Sequence, residues 1–303
     1  MSYILKNKNL EIHIDSPLEN YNFSRFDWTG KIVKVLFKNI PLSSTENNDG
    51  QNEHCFGKGF YNEFGINSAL GFDETNKGDW FHKIGIGLLK KEDSTYLFSK
   101  NYKIKPAKFE IITEPNRIIF ICKSEAINGY SYLLKKEIEL HTSGFAIKYY
   151  LENTGKKDII TNEYVHNFIS INKDSIGSNY VLKFPFQLKP EQFEESVNPE
   201  QKVEIGRNEI KFNGSPKNQF FFSNLAGSEN VLAAWELTNL KSNIRISETT
   251  SFKTNQVNLW GWKHVISPEL FVNISIEPGQ STEWFRKYNV YNVNYNFGRN
   301  CGK

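Results

Sequence analysis

Hydrophobic and polar positions alternate with period two along most of this chain. That is the spacing of strands with one buried face and one open face. Such runs cover 10–14, 31–37, 109–113, 117–123, 132–140 and 145–152. Others lie at 180–184, 231–237, 243–248, 257–262 and 285–291. Turn-forming stretches such as EPN, HTSG and NTGKKD separate them. ELHTSGFAIKYYLENTG predicts a hairpin that turns at Gly144. No helical period lasts beyond about two turns, and 190–195 is its best candidate. Two polar stretches, 43–81 and 187–219, predict long functional loops. With no internal repeat and no low-complexity linker, the pattern predicts one all-β domain over residues 1–303. So many strands imply two large packed antiparallel sheets.

Two of the strand patterns carry chemistry on their polar side. In EYVHNFISIN (163–172), Tyr164, His166, Phe168 and Ser170 share one side. Val165, Ile169 and Ile171 share the other, with Asn167 between them, and Glu163 also faces that way. In SPELFVNISIEPG (267–279), Leu270, Val272, Ile274 and Ile276 form the apolar side. Glu269, Phe271, Asn273 and Ser275 form the other. A histidine titrates near neutral pH. One histidine and one carboxylate on two polar strand faces outline an acid–base pair. The expectation is that both point into one cleft from strands that are neighbours or near-neighbours on one sheet.

Composition narrows the class. Hydrophobic residues make up 39% and charged residues 23%, which marks a globular chain rather than a disordered one. The chain has 24 Phe, 14 Tyr and 6 Trp, which favour strands and offer flat apolar faces to sugar rings. The net charge of +3 is spread along the chain, so nothing points to nucleic acid. No apolar run reaches the roughly 18 residues of a membrane span. The start, MSYILKNKNLEIHID, is polar and alternating, unlike a secretory signal. Cys55, Cys122 and Cys301 form no CxxC pair, so they predict neither a metal site nor a disulfide framework. A reducing cytoplasm fits this usage.

Five segments carry a family resemblance: SRFDWTGKIVKV (24–35), GFYNEFGI (59–66), LGFDETNKGDWFHKIGIGLLKK (70–91), LENTGKKDIITNEYVHNFISIN (151–172) and SPELFVNISIEPGQSTEWFRKY (267–288). In this order they resemble the aldose 1-epimerase, or galactose mutarotase-like, superfamily, and within it a bacterial branch of mutarotase-like proteins. The resemblance implies a β-supersandwich with a carbohydrate cleft on one concave face. It implies a cofactor-independent isomerase that interconverts the α and β anomers of a free aldose. It makes Glu269 the base and His166 the acid. The residues after His166 are Asn-Phe, where the family has a TYF- or SYF-type run. No metal or nucleotide is needed for such a reaction.

The other candidates are substrate contacts. Arg25 and Glu63 lie inside the resembling segments, and a positioned Arg donates paired hydrogen bonds to vicinal hydroxyls. Their plain alternative is a surface ion pair. His82 lies 84 residues before His166, close to the separation of the family's two active-site histidines. A structural role for His82 is nearly as good, with Lys83 facing the cleft instead. Tyr164 shares its strand side with His166. Trp260, like Trp80 and Trp262, is either a stacking platform or core. His13, His54, His141 and His264 have no supporting context. Two alternatives remain beside the free-aldose mutarotase: a non-catalytic carbohydrate-binding protein, and a mutarotase acting on a sugar phosphate. The arginines are scattered in sequence, which decides nothing about a phosphate. The expected partner is a monosaccharide or related carbohydrate.

Overall fold

The alternating runs become strands that pair antiparallel. The structure, a computed structural model, describes residues 2–47, 49–51 and 53–293. Among these residues there is no α-helix. Helical turns are limited to three 3-10 turns, at Glu53–Cys55, Ile171–Lys173 and Pro190–Gln192. Among the described residues no helix is long and apolar enough to cross a membrane.

Two large sheets form the sandwich. The first has seven strands, with the path Tyr3–Lys6, Leu10–Asp15, Lys31–Phe37, Phe60–Phe64, Ile159–Asn167 and Val272–Ile276, and Ile40–Pro41 beside Lys31–Phe37. The second has ten and runs from Val203–Ile205 to Lys108–Thr113. Its middle holds Ile244–Thr254, Ser281–Asn292 and Gly144–Asn153 side by side. Two smaller sheets are added to the expected pair. One has four strands, Ser196–Val197, Phe220–Phe222, Val257–Trp262 and Val265–Leu270. The other has three, Trp80–Lys83, Gly87–Lys90 and Ile104–Pro106. Inward side chains of both large sheets, such as Ile12, Val35 and Val165 against Ile138, Ile147 and Tyr288, merge into one apolar cluster.

Several sequence expectations need correction. The stretch 43–81 contains the strand Phe60–Phe64. All five of its side chains are buried, so it shows no alternation. The stretch 187–219 contains the short strands Ser196–Val197, Val203–Ile205 and Glu209–Phe212. The helical candidate at 190–195 is only the 3-10 turn Pro190–Gln192. The histidine strand stops at Asn167, and beyond it Asn172 takes a positive φ inside the next turn. The glutamate segment is not one strand. It breaks at Phe271 into Val265–Leu270 on the four-stranded sheet and Val272–Ile276 on the seven-stranded one. Cys301 and the chain beyond Val293 lie outside the described residues.

The sandwich interior also holds charge. Arg286, fully buried on Ser281–Asn292, donates from Nη2 to Glu163 Oε2 at 2.8 Å and from Nη1 to Glu248 Oε1 at 2.7 Å. Its Nη2 also donates to the Leu270 carbonyl at 2.8 Å. Trp284 Nε1 donates to Glu163, and Trp235 Nε1 to Glu248. Burial raises the Glu248 pKa, and Arg286 opposes it. Removing one partner from such a group leaves an uncompensated buried charge. Arg286→Met should therefore lower unfolding free energy by about 3–5 kcal/mol. Urea denaturation of both proteins at one pH checks this, and a loss below about 1 kcal/mol would contradict the role given to Arg286.

Candidate active site

The parity of the strand Ile159–Asn167 puts two kinds of polar residue on opposite faces. Glu163 and Asn167 turn into the sandwich, where they meet Arg286, Glu248 and Tyr288. Tyr164 and His166 turn the other way and line a cleft of about 800 Å3. Glu269 lines the same cleft. It arrives on Val265–Leu270, a strand of the four-stranded sheet, not on the histidine's own sheet. The two sheets are joined side by side by a bridge in which Ile169 and Ile266 exchange backbone hydrogen bonds of 3.0 and 2.9 Å.

Asn167 fastens this junction. Its backbone N–H donates to Ser267 Oγ at 3.0 Å, and its side-chain amide donates to the Pro268 carbonyl at 2.7 Å. Tyr288 OH donates to its Oδ1 at 3.0 Å. The neighbours on either side of these contacts, His166 and Glu269, are thereby brought together. His166 Nε2 lies 3.3 Å from Glu269 Oε1, and both residues are at most 4% exposed. Ser267 Oγ donates to that same Glu269 oxygen at 3.3 Å. The imidazole stacks on Phe168 at 4.0 Å and meets the edges of Trp260 at 5.2 Å and Phe26 at 6.1 Å. Its Nδ1 has no hydrogen-bond partner among the described residues.

Burial governs the protonation of this pair. It pushes the Glu269 carboxyl up to about 8, against the pull of Arg25 and of the Ser267 hydrogen bond. It holds His166 well below the usual imidazole range, and the Arg25 charge acts in the same direction. Both shifts favour the neutral forms, with the exchangeable proton on Glu269.

A second cluster supports the cleft from behind. Arg25 donates from Nε to Glu63 Oε2 at 2.9 Å, from Nη1 to Glu46 Oε1 at 2.9 Å and from Nη2 to Tyr164 OH at 3.2 Å. Its guanidinium lies over the Phe26 and Phe98 rings. Tyr164 OH donates to Glu63 at 2.7 Å, and its ring stacks on Phe271. Lys83 Nζ donates to Tyr96 OH at 2.8 Å and approaches Glu63 at 3.4 Å. Three of the five Arg25 N–H groups are thus engaged among the described residues.

The structure brings together Arg25, Tyr164, His166, Trp260 and Glu269 as residues lining one cleft. Glu63 is fully buried and does not reach the cleft surface; it holds Arg25 and Tyr164 from below. His82 is not brought to the cleft. Its strand, Trp80–Lys83, turns it into a buried pocket where its ring meets Tyr130 and Tyr132. Burial lowers its pKa to about 4, against the nearby carbonyls of Ile127 and Tyr130. Lys83, on the opposite side of that strand, backs the Arg25 cluster instead. Sequence reasoning missed Glu46, which comes from the stretch 43–81 and lacks any local pattern. Among the described residues no group of three or more His, Cys, Asp or Glu side chains is set to hold a metal ion.

No protein-family model matches this chain, and no curated protein matches it in sequence. Solved structures do match its fold. One is a galactose mutarotase related enzyme from Lactobacillus acidophilus, with TM-score 0.58, 10% identity and coverage of 97% of this chain and 99% of that one. Another is a galactose mutarotase-like protein from Clostridium acetobutylicum, with TM-score 0.55, 13% identity and coverage of 96% and 95%. A third is an aldose epimerase homologue from C. elegans, with TM-score 0.54, 12% identity and coverage of 97% and 100%. The chain therefore has the galactose mutarotase-like β-sandwich fold.

The raised Glu269 pKa has a thermodynamic consequence. Its contribution to stability is full below the unfolded value of 4.5 and is lost as pH rises through about 8. His166 runs the other way, with stability present above 6.5 and lost as pH falls. Between pH 6.5 and 8 the Glu269 slope is the one left within the pair. Wild type should lose more stability across that interval than Glu269→Gln does. Urea unfolding at both pH values reads the difference, and parallel losses would mean that Glu269 is not held protonated by burial.

Proposed function

We propose that this protein is a mutarotase that equilibrates the α and β anomers of a reducing sugar without a cofactor. The observation that carries this reading is the buried His166–Glu269 pair, in contact at 3.3 Å, which lines a cleft and leaves Nδ1 of the histidine without a partner among the described residues. The likeness of its fold to mutarotase-like structures adds support.

Mutarotation opens the pyranose ring and closes it on the other face of the carbonyl carbon. Opening takes a proton from the C1 hydroxyl and delivers one to the ring oxygen, as the bond from C1 to that oxygen breaks. A pair holding one proton supplies both halves. Moving that proton from Glu269 to His166 yields a carboxylate base and an imidazolium acid, the roles that the resemblance implies. The two forms have equal net charge, so no solvent proton is required. The dry aromatic surround of His166 strengthens both hydrogen bonds to the sugar. Arg25 and Tyr164, which line the cleft, orient the ring hydroxyls, while Trp260 covers an apolar sugar face. The described chain works as one domain around this cleft.

One observation favours the non-catalytic alternative. His166 and Glu269 touch at 3.3 Å, so the sugar's two oxygens must meet the pair from the cleft side rather than lie between its members. Kinetics decides. Anomeric equilibration of aldoses, followed by polarimetry or NMR exchange, should exceed the buffer rate. His166→Gln and Glu269→Gln should each lower it by about two to four orders of magnitude. A sugar that binds but equilibrates no faster than in buffer would leave the binding-protein reading.

The pH profile tests the shared proton separately. Above about 8 Glu269 loses the proton that the pair passes on, and no acid is left. Only well below 6.5 does His166 gain a second proton and the base disappear. For the free enzyme, kcat/KM should be level across neutral pH and fall above about 8. A rate that climbs through pH 8 would mean that ionised Glu269 acts alone.

A further inference from the structure

The cleft is larger than one acid–base pair requires. At about 800 Å3 it lies high in the range for drug-sized ligands, roughly 300–1,000 Å3. A molecule of that size has two or three rings. Part of the cleft runs along the four-stranded sheet. On its strand Val257–Trp262, alternate residues Asn258, Trp260 and Trp262 all line the cleft. Strand pairing orders them: Asn258 opposes Glu269, Trp260 opposes Ser267, and Trp262 opposes Val265. Trp260 is the indole beside His166, at 5.2 Å. Trp262 lies two residues further from Glu269, roughly 7 Å along the strand. Both indoles are partly exposed and tethered, Trp260 Nε1 donating to Gln219 Oε1 at 3.4 Å and Trp262 Nε1 to the Lys217 carbonyl at 2.7 Å. They form a fixed two-step aromatic surface that begins at the acid–base pair.

The charge of the walls narrows the ligand further. Glu46, Asp49 and Glu195 line the cleft beside Glu269, and Arg25 is the one cation among the described lining residues. Arg25 is already matched by Glu46 and Glu63. A phosphate dianion among these lining residues would meet carboxylates, with Arg25 already matched and Lys263 outside the lining, its Nζ 5.7 Å from the Trp262 ring centroid.

We propose that the cleft takes the reducing end of an uncharged oligosaccharide, with the terminal ring at His166 and Glu269 and the next ring over Trp262. This rests on the mutarotase reading for the terminal ring. It goes beyond that reading in assigning a second sugar site and in rejecting sugar phosphates.

The test compares maltose, cellobiose and lactose with glucose, galactose and glucose 6-phosphate. Equilibration is followed by NMR exchange, and binding by intrinsic tryptophan fluorescence. At least one disaccharide should show kcat/KM about tenfold above its monosaccharide, and glucose 6-phosphate should be the poorest substrate. Trp262→Ala should lower the disaccharide value about tenfold more than the monosaccharide value, whereas Trp262→Phe should keep most of the preference. Monosaccharides or the phosphate as best substrates would overturn the proposal. So would equal losses for one and two rings in Trp262→Ala. If disaccharides bind tightly through Trp262 and none equilibrates, the second site stands and the mutarotase reading fails. If no sugar binds, both fail.

Discussion

A single guanidinium holds both halves of the acid–base pair to one point of the opposite sheet. Arg286 reaches Glu163, three residues before His166, and the carbonyl of Leu270, the residue after Glu269. Its other branch takes Glu248 on the neighbouring strand of its own sheet. Asn167 completes the frame by tying the histidine strand to Ser267 and Pro268. Buried ion pairs add little net stability over well-packed apolar side chains, because desolvation offsets their attraction. What they add is direction. Apolar packing lets two strands slide by fractions of an ångström, while these hydrogen bonds fix their register. The two strands here belong to different sheets, so no continuous ladder aligns them, and the polar frame takes over that task.

The same architecture sets the electrostatics. His166 lies among Phe26, Phe168 and Trp260, and Glu269 lies against it with little access to water. Desolvation penalises both charged forms, so the two pKa values move towards each other and cross. A proton held on one member and passed to the other is suited to chemistry that takes one proton and returns one. Arg25 depresses both pKa values and so favours the carboxylate over the imidazolium. Its carboxylate partners Glu46 and Glu63 moderate that pull.

Much of this was legible in the sequence where one face of a strand is buried and the other is not. The alternation at 132–140, 145–152 and 285–291 marks strands of the large sheet because their outer faces meet water. The same logic separated Glu163 from His166 and placed Tyr164 with the histidine. It failed where both faces are covered. Phe60–Phe64 reads as loop because every residue is buried, although Glu63 within it anchors the cleft. It failed again at Phe271, where alternation continues through a switch of sheets that only tertiary pairing reveals. His82 has a good sequence separation, but spacing along the chain does not say which wall a short strand presents. The cleft's outer walls, Glu46, Asp49, Glu195 and Gln219, come from irregular stretches with no period to read.

Identities of 10–13% with structures of the same fold indicate which features specify it. Few residues need be shared if the placing of apolar and polar positions and the filled volume are kept. Residues that break the pattern are then the informative ones. Along Ile159–Asn167 they break it in both directions. Glu163 and Asn167 put polar groups where the sandwich calls for apolar ones, and His166 puts an ionisable ring on the cleft side between aromatic neighbours. Each inward exception has a matching donor or acceptor across the core, in Arg286, Trp284, Glu248 or Tyr288. The outward exception keeps one nitrogen without a partner. A strand that satisfies every inward polar group and leaves an outward one open divides its two faces between holding a geometry and waiting for a ligand.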